Sequence, residues 1–90
     1  MKFVCITTKE DVLTGMRLAG AEGTLVANRN QALFALNAAK QDPTVALVLI
    51  CREVSSLLQE EVEQMKLHSQ QPLILEIPSP GESQQERKGE

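Results

Sequence analysis

The chain has 90 residues with a formal net charge of −3, is 42% hydrophobic and 23% charged, and holds two aromatic residues, Phe3 and Phe34. A chain of this length buries roughly 60 to 65% of its unfolded surface, enough for one core and no second lobe. Net negative charge repels phosphate backbones and two isolated rings make no stacking platform, so nucleic acid is excluded as a partner.

The apolar run after Lys2 is too short for a signal peptide, and no run approaches the roughly 18 residues of a membrane span, so a cytoplasmic location is expected. Lys2 to Thr7, KFVCIT, is nearly continuously apolar and reads as a first strand, central in its sheet and covered on both faces. Thr8 is placed to cap a helix starting at Lys9, with Asp11 in the capping-box position and Glu10 at the positive end of the dipole. Val12, Leu13, Met16, Ala19 and Gly20 form the expected inner stripe and Arg17 falls toward solvent. Gly15 breaks the pattern, since glycine inside a helix costs about 1 kcal/mol relative to alanine. Close packing against either the sheet or a partner would account for it.

Gly20 and Gly23 supply the helix end and the turn into a short strand expected at Thr24 to Ala27. Asn28 or Asn30 caps a second helix whose inner stripe is Ala32, Leu33, Leu36 and Ala39, broadened by Phe34, Ala35 and Ala38 and ended by Asp42-Pro43. Thr44 to Cys51, TVALVLIC, has no polar face and is expected as the central strand, buried on both sides. A third helix is expected as far as His68, with Val54, Leu58, Val62 and Met65 inward; Gln59 at the capping-box position relative to Ser56 allows a start one turn after Glu53. Leu73 to Ile77 is the fourth strand, with Leu73, Leu75 and Ile77 on one face and Ile74 and Glu76 on the other, and Glu76 marks an edge or a poorly covered face. These elements predict one α/β domain over residues 1–78, followed by a polar and mobile tail over 79–90. Right-handed crossovers and two central strands predict a four-stranded parallel sheet in the order 2-1-3-4, flavodoxin-like or receiver-like, with helices on both faces.

Ligands of such folds bind beyond the carboxyl ends of the first and third strands. Thr7, Thr8 and Lys9 meet Cys51, Arg52 and Glu53 there. A phosphate-accepting receiver needs an aspartate where Cys51 and Arg52 stand and acidic residues where the threonines stand. A flavin or dinucleotide site needs a glycine-rich first turn, which ITTKEDVLTG lacks. Cys5 lies inside its strand rather than in the loop a thiol phosphocarrier would use, and Cys5 and Cys51 read as reduced core residues, with a disulfide between them as the lesser alternative. His68 has no nucleophile beside it and the cysteines have no carboxylate cluster. No catalytic set, metal ligand set or cofactor site is therefore expected.

Two stretches are informative together: TGMRLAGAEG from Thr14 to Gly23, and LILEIPSPG from Leu73 to Gly81. In order and spacing the chain closely resembles, over about residues 2–81, the F-subunit family of rotary V-type (archaeal A-type) ATPases and ATP synthases. The resemblance implies a non-catalytic central-stalk component that docks on the coiled-coil rotor, the D subunit, beneath the ring of A and B subunits, and helps couple ATP turnover to proton or sodium transport. It would then be peripheral to the membrane through the complex. Carried over by residue, the motifs are Thr14, Gly15, Arg17, Leu18, Ala19 and Gly20, then Glu76, Ile77, Pro78 and Ser79. Structural roles suffice for Leu18 and Gly20, so Arg17, Pro78 and Ser79 are the expected partner-binding residues. Family members continue past the fourth strand into a helix for which contact with the A and B subunits is proposed; ESQQERKGE here lacks the apolar periodicity for it. Two other readings of the residues stay open: a degenerate receiver or phosphocarrier, and a stand-alone adaptor that offers a strand edge.

Overall fold

The computed structural model describes residues 1–68 and 72–77, with only the backbone of His68; Pro78, Ser79 and the expected tail lie outside the described residues. The elements are β1 (Lys2–Thr7), α1 (Glu10–Leu18), β2 (Glu22–Leu25), α2 (Arg29–Gln41), β3 (Val45–Cys51), α3 (Arg52–Leu57), α4 (Gln59–His68) and β4 (Leu73–Ile77). All strand pairs are parallel and the sheet order is β2-β1-β3-β4, the doubly wound arrangement expected from the apolar strands.

One face of the sheet carries most of the core. Ile6, Val48 and Ile50 are fully buried there beneath Ala32, Leu36 and Ala39 of α2 and Val54, Leu58 and Val62 of the α3–α4 segment. Asn28 caps α2 as expected, its Oδ1 accepting from the Gln31 amide at 2.9 Å. Gln31 Oε1 in turn accepts from the Ala27 amide at 2.8 Å, one residue earlier than a standard capping box would have it. Alternation along β3 slips once: the register against β1 shifts between Lys2 and Phe3, so that Val45 and Val48, three apart, both join the α2-side core.

Several expected details are corrected. The first helix begins at Glu10 with Lys9 at its N-cap and no side-chain cap; Thr7 Oγ1 takes the Lys9 amide at 3.1 Å instead of Thr8 capping the helix. β2 starts two residues early because Gly23 belongs to the strand rather than to the turn. A Cβ at Gly23 would fall well inside contact distance of Leu13 Cδ1 and 3.2 Å from its Cγ, so α1 sits directly on that glycine. The turn is left to Gly20, whose φ of 100° suits glycine. The third helix is two: Leu58, at φ −118° and ψ 39°, breaks it, yet Val54, Leu58 and Val62 remain one buried stripe. Phe34, expected to broaden the inner face of α2, is 78% exposed.

Candidate functional site

At the carboxyl ends of β1 and β3 the side chains satisfy one another. Lys9 Nζ lies 3.3 Å from Glu53 Oε2, bridging the switch point, and Arg52 Nε lies 3.6 Å from Glu76 Oε2 across β3 and β4. Thr8 Oγ1 is 3.9 Å from the Cys51 thiol, and Thr7 is fully buried. Both cysteines are free and buried, and burial, with Cys51 nearby as a lesser cause, pushes the Cys5 thiol upward, away from the reactive thiolate. Among the described residues no group of three His, Cys, Asp or Glu side chains could hold a metal ion. What the crevice can do chemically is tie β1, β3 and β4 together.

Two polar clusters have a similar structural character. Asp42, just past α2, accepts from the Thr44 amide at 2.9 Å and the Thr44 hydroxyl at 2.7 Å, and lies 3.0 Å from Lys2 Nζ. The hydroxyl and amide of Thr44, then Lys2, hold its carboxyl down from the ordinary value of 3.8 to about 2. Arg29 donates from Nη2 to Glu61 Oε2 at 2.7 Å and from Nη1 to the Leu57 carbonyl at 2.8 Å, which occupies a carbonyl left free where α3 ends. The Arg29 hydrogen bond holds the Glu61 carboxyl below its usual range.

Between α2 and the edge strand β2 lies a groove of ≈ 670 Å³ whose apolar floor includes Val26, Ala35 and Ala38, rimmed by Lys2, Glu22 and Asp42. A further apolar surface lies on the α1 side of the sheet. Leu73 and Leu75 are 59% and 52% exposed there, because α1 packs on β1 and β2 rather than on β4, and Phe3 on β1 is 46% exposed.

Similarity to known proteins extends along almost the whole chain. Residues 4–90 match the family model described as ATP synthase (F/14-kDa) subunit. The chain belongs to this F-subunit family. It is 27% identical over 84 residues to the F subunit of the A-type ATP synthase of Thermoplasma acidophilum, covering 91% of this chain and 81% of that protein. Within the family an ATP synthase assembly stands behind the chain, and other subunits of it are its partners.

The motif residues of this family member differ in how they are held. Arg17 is exposed in the last turn of α1, its Nε 3.8 Å from where a Gly23 Cβ would sit. Leu18, expected to have a structural role, is 85% exposed and contributes nothing to the core. Gly15 is exposed, and a Cβ there would meet nothing within 4 Å, so packing against its own sheet does not require glycine. Glu76 and Ile77 are half-buried on the edge strand, with Glu76 paired to Arg52. No described helix is long and apolar enough to cross a membrane.

Proposed function

We propose that this chain is a non-catalytic central-stalk component of a rotary V/A-type ATPase, docking on the coiled-coil rotor, the D subunit, and helping couple ATP hydrolysis or synthesis to proton or sodium transport. The observation that carries the reading is the family match along residues 4–90, almost the whole chain. The self-paired crevice at the switch point supports a role in assembly over one in chemistry. The D subunit is the first partner, with Arg17, Pro78 and Ser79 as contact residues and the A and B subunits as a second set of partners. The chain would then stand on the cytoplasmic side of the membrane, held there through the complex.

The test is co-expression with the D subunit from the same source, followed by affinity purification at moderate salt and mass measurement. A one-to-one complex is the expected result, and Arg17→Glu should lower its yield without altering the circular dichroism of the free chain. Failure of the native chain to retain the D subunit refutes the rotor reading; unchanged binding by Arg17→Glu removes Arg17 from the interface.

A further inference from the structure

The helix break at Leu58 has no breaker residue. No glycine or proline stands between Arg52 and His68, and Ser56, a candidate helix start in the sequence, lies inside α3. Leu58 leaves the helical region at φ −118° and ψ 39°, yet its amide still donates to the Val54 carbonyl at 3.0 Å and its carbonyl still accepts from the Val62 amide at 2.8 Å. Because α4 starts afresh at Gln59, the Leu57 carbonyl and the Glu61 amide, which a continuous helix would join, are parted. Each finds a substitute. Arg29 Nη1 donates to the Leu57 carbonyl at 2.8 Å, while the Glu61 carboxylate accepts from its own backbone amide and, at 2.7 Å, from Arg29 Nη2. Two side chains thus stand in for one helical hydrogen bond, and Arg29, at the start of α2, engages both sides of the gap.

We propose that the joint between α3 and α4 is a two-position element, broken while Arg29 engages Leu57 and Glu61 and continuous from α3 into α4 once Arg29 lets go. This inference stands apart from the rotor reading. Three observations carry it. A sharp break without proline or glycine is made by a group inserted into the hydrogen-bond ladder, and the Arg29 guanidinium is such a group. The buried stripe of Val54, Leu58 and Val62, spaced by four, suits a continuous helix as well as a broken one, so straightening does not require the core to be given up. The lock is also accessible: the Arg29 side chain is 48% exposed and that of Glu61 26%, so salt, or a carboxylate of another chain competing for the guanidinium, can open it. Lys40 of α2 and Glu60 of α4 are the other charges acting on the pair. Since α4 packs on β4, the position of the joint sets how the edge strand is covered.

The experiment is nuclear magnetic resonance on the isotope-labelled 90-residue chain, native and Arg29→Met, reading the HN–Hα coupling of Leu58 and the exchange rate of the Glu61 amide. Methionine keeps the helix propensity and most of the aliphatic length of arginine at an exposed position, so the variant should fold, as circular dichroism would check. Release should lower the Leu58 coupling at least half-way from the large value of φ −118° to the small value of a helical φ of about −63°. The Glu61 amide, now bonded to the Leu57 carbonyl, should exchange at least about fivefold more slowly. A folded Arg29→Met with native coupling and native exchange overturns the proposal and makes the packing of Leu58 the cause of the break. Faster exchange at Glu61 also overturns it, because the joint would then fray rather than straighten. If Arg29→Met does not fold, the same two readings on Glu61→Ala, which opens the lock from the α4 side, decide in the same way.

Discussion

Two glycines of one structural unit should respond to alanine with opposite signs. At Gly15 an added Cβ meets nothing within 4 Å on an exposed helix position, so Gly15→Ala recovers the propensity difference, about 1 kcal/mol. In a domain of this size that is a rise in Tm of roughly 4 to 8 °C. At Gly23 the added methyl collides with the Leu13 side chain, which is buried between α1 and the sheet and has little room to turn. Overpacking of this kind costs about 1 to 3 kcal/mol, offset by about 0.4 to 1 kcal/mol from the stiffer unfolded chain, leaving a net loss of about 1.3 kcal/mol at mid-range and from about 0 to about 2.6 kcal/mol at the extremes. At mid-range Gly23→Ala should therefore melt roughly 5 to 10 °C below the native chain. Thermal unfolding followed by circular dichroism on the three proteins gives both signs in one series. A Gly23→Ala chain more stable than the native one would mean that α1 does not rest on β2. A Gly15→Ala chain with lowered Tm would mean that the glycine answers to contacts within the chain.

The two faces of the sheet should tolerate charge differently: Val48→Asp places an unpaired carboxylate in a fully buried site and should abolish folding, while Leu75→Asp, at a 52% exposed position, should leave a folded chain by circular dichroism. Asp42 has a folded pKa of about 2 against an ordinary 3.8, so its contribution is complete above the ordinary value and is lost as pH falls through 2. The stability gap between the native chain and Asp42→Asn should accordingly close between pH 4 and pH 2 in chemical denaturation, and a gap independent of pH would contradict the assignment. A double-mutant cycle of Arg29→Ala and Glu61→Gln should show a coupling that shrinks at high salt, whereas additive effects would mean that the pair linking α2 to α4 is not made in solution.

The apolar runs of β1 and β3, the cap at Asn28 and the break at Asp42-Pro43 are local signals, and from them the element order and the parallel sheet order were already legible. So was the family, because the spacing of TGMRLAG and LILEIPS lies in the sequence itself. Other features depended on contacts between distant residues. A stripe that stays in phase through Val54, Leu58 and Val62 hides a helix break, since both pieces bury the same side chains. The start of β2 at Glu22 follows its pairing with β1, with Leu13 resting on Gly23, and the common side of Val45 and Val48 follows a register shift against β1; neither leaves a mark in periodicity. Most of all, apolar content states that a strand can be covered on both faces, not that it is. Phe3, on a strand expected to be covered on both faces, is 46% exposed, and β4, expected as an edge or poorly covered strand, leaves Leu73 and Leu75 open because α1 comes to rest over β1 and β2; burial is a property of where helices lie in three dimensions.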